Sequence, residues 1–68
     1  MVRKLMRNLE LERRKRGWSQ MDVSISSGVD ASYICKAERY GIAYDAHLEK
    51  LAEALDWDKD PQSLLEVV

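Results

Sequence analysis

The side chains of this chain that could do chemistry are few, and most of them stand alone. The single histidine, His47, has no second histidine, no cysteine and no carboxylate pair at ligand spacing, so the sequence offers no metal centre. The single cysteine, Cys35, cannot close an internal disulfide. Its neighbour Lys36 could lower the thiol pKa enough for redox sensing, but a small half-buried helix residue is the simpler account of the position. No Ser-His-Asp set, glycine-rich phosphate loop or zinc-protease motif occurs, so catalysis has no carrier and no cofactor or small-molecule ligand is expected. What the chain does hold in quantity is charge. Residues 1–16 carry Arg3, Lys4, Arg7, Arg13, Arg14, Lys15 and Arg16 against Glu10 and Glu12, a net of +5. From residue 45 onward, Asp45, Glu49, Glu53, Asp56, Asp58, Asp60 and Glu66 oppose only Lys50 and Lys59, a net of −5. The formal charge of −1 therefore conceals a bipolar molecule. A basic end of this kind can bind a polyanion while the acidic end turns that polyanion away from the wrong face. A solvated helix face would have the same composition.

Charge has to be positioned by elements, and the length of 68 residues allows one small domain over 1–68, with 46% apolar residues to build its core. The longest apolar run is three residues, where a membrane span needs about twenty. No apolar signal-peptide core follows the basic start, and a lone cysteine fits a reducing compartment, so a cytoplasmic location is expected. Gly17, Gly28, Gly41 and Pro61 punctuate the chain into five short segments. Residues 3–16 place Leu5 and Leu9 on one helical face, and Gly17 ends that run. Ser19 is an N-cap candidate for a second helix over about 19–26, with Asp22 three residues on. Met21, Val23 and Ile25 alternate there in a strand-like way, but no other segment alternates to partner a strand. Asp30 caps a third helix over 31–39, which points Ile34 and Ala37 one way and Ser32, Lys36 and Arg39 the other. Asp45 starts a fourth, whose Leu48, Leu51, Ala52 and Leu55 follow the helical apolar rule most closely. Asp60-Pro61 opens a fifth, carrying Leu64, Leu65, Val67 and Val68. Trp18 and Trp57 sit just beyond helix ends, where large rings can close a core that short helices leave open. The expected fold is all-α, with five helices.

Arg13, the Gly17-Trp18-Ser19-Gln20 segment, Gly28-Val29-Asp30, the run Ser32 to Arg39 and Leu51-Ala52-Glu53-Ala54-Leu55 together resemble the Cro and phage-repressor type helix-turn-helix domains, also called XRE-like. The resemblance runs from about Leu5 to Leu65, and Gly28 keeps its spacing of eight residues after Gln20 and ten before Glu38. It implies a compact five-helix, lambda-repressor-like domain in which helices two and three form the helix-turn-helix and the third enters the DNA major groove. Ser19 and Gln20 would then meet a phosphate at the start of the second helix, and Tyr33 and Arg39 would lie beside phosphates. Ala31, Ser32 and Lys36 fall on positions facing base edges: lysine donates to guanine O6 or N7, serine to several edges, and alanine touches a thymine methyl. Arg13 and Glu38 match a salt bridge that fixes the third helix in its pose.

The chain departs from that pattern in places with physical consequences. Ser24 and Ser27 replace apolar residues, which predicts a loosely packed second helix. Tyr40 stands where a glycine commonly ends the third helix, with Gly41 next, which predicts that the helix runs on slightly. The loop 40–44 lacks the Lys, Arg and Asn that often grip the DNA backbone, so phosphate charge has to come from the basic first helix, of which Arg14, Lys15 and Arg16 are expected to lie too far from the duplex. The expected function is a sequence-specific transcriptional regulator of prokaryotic or phage type, binding double-stranded DNA as a homodimer, with weak or dimer-dependent affinity. The alternative is an antitoxin-like or adaptor module that keeps the fold but holds a protein partner.

Overall fold

The computed structural model describes residues 5–68 of the chain. Local signals set most of the helix ends. Helix α2 (Gln20–Ser27) begins at Ser19, whose hydroxyl accepts from the Asp22 N–H at 3.0 Å while the Asp22 carboxylate accepts from the Ser19 N–H at 2.8 Å. This reciprocal capping box satisfies two donors that a helix start leaves unpaired. Helix α3 (Ala31–Tyr40) begins at Asp30, whose carboxylate accepts from the Ser32 N–H at 2.9 Å, and it runs one residue past the expected end to stop at Gly41. Helix α4 (Asp45–Ala54) delivers Leu48, Leu51 and Ala52 to the core. Its strand-like alternation notwithstanding, α2 is a helix, because only Val23 of the alternating set faces inward while Met21 and Ile25 stay exposed.

The two ends of the chain differ from expectation for one shared reason. Helix α1 (Asn8–Lys15) starts well inside the expected span 3–16, of which Arg3 and Lys4 lie outside the described residues. Arg7 is extended, at φ −85° and ψ 158°, because it pairs antiparallel with Val67. The Asn8 N–H donates to the Glu66 carbonyl and the Val68 N–H to the Met6 carbonyl, each at 2.9 Å. Leu5, expected on the buried face, is therefore 70% exposed. The same pairing draws residues 66–68 out of helical conformation. In place of a fifth α-helix there is a short 3-10 helix (Pro61–Leu65), opened by Asp60 and Pro61 and ended at Glu66, with Val67 and Val68 beyond it and exposed. Among the described residues the architecture is thus all-helical, four α-helices and one 3-10 helix, tied at its ends by an isolated bridge.

The core consists of Leu9, Val23, Val29, Ile34, Ala37, Leu48, Leu51, Ala52, Leu55 and Leu64, one or more from every helix. Trp18 and Trp57 pack against its margin as expected. The Trp57 indole N–H donates to the Ser63 hydroxyl at 2.9 Å, giving the polar edge of a part-buried ring a partner and fastening the 3-10 helix. An open hollow of about 270 Å³ lies between α2 and α4, lined by Ser26, Ser27, Lys50, Glu53 and Ala54, while Val23 of α2 is fully buried against the core. Ser27 satisfies its hydroxyl locally, donating to the Val23 carbonyl at 2.7 Å and accepting from the Val29 N–H at 3.1 Å.

Candidate nucleic-acid interface

Helices α2 and α3 are joined by Gly28-Val29-Asp30, and the geometry of this turn explains the glycine. Gly28 has φ +76°, and its N–H donates to the Ser24 carbonyl at 2.8 Å to close α2. A Cβ added there would meet nothing within 4 Å, so the requirement is the left-handed backbone itself, which side-chain-bearing residues adopt only at a cost. Val29 then turns into the core and Asp30 starts α3.

On α3 the inner face is Ile34, Ala37 and Glu38, all buried. The outer face carries Ser32, Lys36 and Arg39, exposed and spaced i, i+4, i+7 so that they form one stripe. Ala31 and Cys35 are half-buried beside it. Of the expected base-facing residues, Ser32 and Lys36 thus share one exposed stripe that Arg39 extends, while Ala31 is half-buried at the start of the helix and stands off that stripe. A hydrogen bond with the Tyr40 side chain raises the Arg39 pKa further above its ordinary value. Asp30 lies at the start of the stripe, its carboxyl held below the usual range by the Ser32 backbone N–H.

Behind the stripe, α3 is fastened through Glu38. Arg13 donates from Nε to Glu38 Oε2 at 2.8 Å and from Nη2 to Oε1 at 3.0 Å, a bidentate pair with side chains only 11% and 5% exposed. Nη1 of Arg13 donates to the Trp18 carbonyl at 2.9 Å, and Gln20 Nε2 donates to Glu38 Oε1 at 3.0 Å. The hydrogen bond to Glu38 raises the Arg13 pKa, keeping its charge fixed. The expected Arg13–Glu38 bridge is therefore present, and the amide nitrogen of Gln20, a residue expected at a phosphate, joins the start of α2 to α3. Ser19 is exposed, with its hydroxyl in the cap of α2.

Tyr33 and the basic segment are used differently from expectation. The Tyr33 hydroxyl donates to the Ile42 carbonyl at 2.7 Å and accepts from the Tyr44 N–H at 3.1 Å, so it pins the loop after α3. Burial raises its pKa, against the lowering effect of the Tyr44 N–H. His47 stacks on Tyr44 with ring centroids 4.6 Å apart and lies 5.0 Å from Tyr33, an aromatic cluster that the separate residues did not announce. The cations of α1 are engaged within the molecule: besides Arg13, Arg14 meets Glu10 at 2.8 Å, Lys15 meets Glu12 at 3.1 Å, and Arg16 meets Glu12 at 3.3 Å and donates to the Leu55 carbonyl. Cys35 opens on a cleft of about 300 Å³ between α1 and α3, lined also by Arg7, Arg13, Gln20, Glu38 and Arg39. Among the described residues no three His, Cys, Asp or Glu side chains gather where they could hold a metal ion, and no helix is long and apolar enough to cross a membrane. No family model, curated protein or solved structure matches the chain, so the character of this face rests on its own residues and their geometry.

Proposed function

We propose that this protein is a sequence-specific DNA-binding transcriptional regulator of the Cro and phage-repressor type, with α2, the Gly28 turn and α3 as its helix-turn-helix. The observation that carries the proposal is the polar stripe Ser32, Lys36 and Arg39 on a helix fastened from behind by Arg13, Gln20 and Glu38. A helix that reads base edges has to present short polar and cationic side chains while its own pose is fixed by contacts on the opposite face. Lys36 would address guanine, Ser32 a polar base edge and Ala31 a thymine methyl. Ser19, Gln20 and Arg39 would meet phosphates, and Tyr33 would hold the loop beside them. So small a set of specifiers favours a homodimer on a two-fold site with half-sites about 34–36 Å apart, which doubles both the base contacts and the charge.

The test is fluorescence anisotropy with two duplexes, the DNA upstream of the protein's own gene and a scrambled sequence, at low and near-physiological salt. A dimer that brings about four cations to the DNA, Lys36 and Arg39 from each copy, loses roughly a hundredfold in affinity between 50 and 200 mM salt. Lys36→Ala should relax the preference between duplexes, and Gln20→Ala should weaken both alike. A protein-interaction module is the second reading, favoured by Met21 and Ile25, which stand one turn apart on α2 at 59% and 76% exposure. Binding that ignores salt and sequence would overturn the DNA proposal in its favour.

A further inference from the structure

The last turn of α3 is held by a side chain from just before α1. Nη1 of Arg7 donates to the Glu38 carbonyl at 3.3 Å and reaches the Arg39 carbonyl at 3.5 Å. Both carbonyls belong to the set that a helix end leaves without intrahelical partners, at the negative end of the helix dipole, where a cation is favoured. The guanidinium lies against Gly41: a Cβ at that position would come within 2.8 Å of Arg7 Nε and Nη2. Glycine at 41 thus serves two ends, a left-handed φ of +69° that terminates α3 and an open seat for Arg7. Arg7 Nε is buried with no hydrogen-bond partner, so the side chain is placed there by something other than full satisfaction of its own donors. That something is the backbone. Arg7 is paired with Val67, and the flanking bonds from Asn8 N–H to Glu66, from Val68 N–H to Met6, and from the Asn8 side-chain amide to the Ser63 carbonyl are all 2.9 Å.

Two arginines therefore grip α3 at neighbouring points with different reach. Arg13 fixes residue 38 by its carboxylate, on the core side. Beyond residue 38, the turn that carries Arg39 and Tyr40 outward is reached from the N-terminal side of the fold by Arg7 alone among the hydrogen bonds of the described residues. We infer that Arg7 is a positioning residue for the DNA-facing end of α3, seated by the C-terminal segment Glu66–Val68, so that the tail governs where Arg39 is aimed. The inference rests on the reading of α3 as the DNA-contacting helix, and it adds that the tail and that helix are coupled. Anything that strips residues 66–68 from Arg7 frees the end of α3 without touching its inner face.

The experiment compares the full chain with Arg7→Ala, Arg7→Lys, Val68→Pro, Arg39→Ala and the double variant Arg7→Ala/Arg39→Ala. Val68→Pro removes only the N–H that donates to Met6 and leaves the extended backbone of Val67 allowed. The first readout is amide hydrogen exchange in the free protein. A cation at a helix C-terminus changes the local opening equilibrium by a factor of roughly 2 to 30, so exchange at Arg39, Tyr40 and Gly41 should quicken by about tenfold in Arg7→Ala and in Val68→Pro, and by less in Arg7→Lys. Amides of α4 should stay protected, which shows that each variant is folded. The second readout is duplex affinity. Arg7→Ala should weaken binding several-fold in the parent and hardly at all once Arg39 is alanine, since Arg7 acts through it. Losses that multiply in the double variant would make Arg7 a phosphate contact in its own right and overturn the proposal. Unchanged exchange at 39–41 would overturn it too. Because exchange is read without DNA, a parent protein that binds no duplex would sink the DNA reading while the exchange result still decided whether the tail holds α3 through Arg7.

Discussion

Replacing Glu38 by glutamine should be among the most costly single changes to this protein, and the structure sets the size. Glu38 accepts three hydrogen bonds, two from Arg13 and one from Gln20, with its side chain 5% exposed. Glutamine keeps the shape but turns one acceptor into a donor facing donors, and it takes from the Arg13 guanidinium, 11% exposed, its hydrogen-bonded counter-charge, leaving only the weaker pull of Glu10. Breaking a buried ion pair from one side costs about 3–5 kcal/mol. Arg13 retains the Trp18 carbonyl at 2.9 Å, which places the expected loss at the lower end, about 3 kcal/mol. A chain of this size has only roughly 3–10 kcal/mol in all, and 1 kcal/mol corresponds to about 4–8 °C in Tm, so the variant should melt roughly 12–24 °C lower. The paired replacement Arg13→Met/Glu38→Leu should cost less. With both charges gone and volume kept, what remains is a loss of about 1–2 kcal/mol from the Trp18 carbonyl and the Gln20 amide, which lose their partners. Urea denaturation followed by circular dichroism measures both. A loss below about 1 kcal/mol for Glu38→Gln, or a paired variant no better than the single one, would refute the assignment of Glu38 as a desolvated partner of Arg13.

The glycines separate two causes of cost. Gly28→Ala should lose about 1 kcal/mol from left-handed strain alone, while Gly41→Ala should lose more, because its Cβ also displaces Arg7; equal losses in urea denaturation would contradict that seat. Asp56 adopts φ +51° just after α4, so Asp56→Gly should stabilise by roughly 0.5–1 kcal/mol, and a lowered urea midpoint would count against strain at that residue. Acid should destabilise the fold from a defined point. Burial would raise the Glu12 pKa, but hydrogen bonds from Lys15 and Arg16 outweigh it, and Asp30 is lowered by the Ser32 N–H, so both carboxyls titrate below their ordinary range. A depressed carboxyl contributes stability that is complete above its unfolded pKa and is lost as pH falls through the folded one. Urea midpoints should hold between about pH 7 and 5 and drop below about pH 4, and a midpoint that rises toward pH 3 would contradict the two shifts.

The middle of the chain was legible because its signals are local. Ser19 with Asp22, Gly28, and Asp30 act within four residues of themselves, and each is found capping or turning as its type and spacing imply. Ile34, Ala37 and the α4 leucines declare their burial by helical spacing, whereas Val23 sits in a strand-like alternation that hides it. The two ends were not legible for the opposite reason. Arg7 and Val67 are 60 positions apart, and no property of Arg7, a good helix former in a helical pattern, tells that a distant backbone will hold it extended. The Tyr33, Tyr44 and His47 cluster is invisible for the same cause, since it needs α3 and α4 to be brought together first. The pairing on α1 was different. Glu10 with Arg14 and Glu12 with Arg16 are i, i+4 pairs written plainly in the sequence, and a net charge of +5 over residues 1–16 conceals them by adding where it should pair.

That pairing changes what the basic segment is for. A cation already bonded to a carboxylate brings less charge to a phosphate than a free one, because its field is largely cancelled and its partner must be displaced or carried along. Arg13 and Arg16 are spent on joining α1 to α3 and to the end of α4, and Arg7 on the last turn of α3. On α3 itself Lys36 and Arg39 stand in no ion pair among the described residues. On the proposed function, then, the arginines that dominate the N-terminal segment build the platform, and two cations on its outer stripe meet the nucleic acid. Few phosphate contacts per copy mean weak binding by one copy and a large gain from the second, since the electrostatic contribution grows with each phosphate neutralised. On that proposal the bipolar charge of the sequence resolves into a division of labour among the described residues, in which Arg7 and Arg13 orient the helix that carries Lys36 and Arg39.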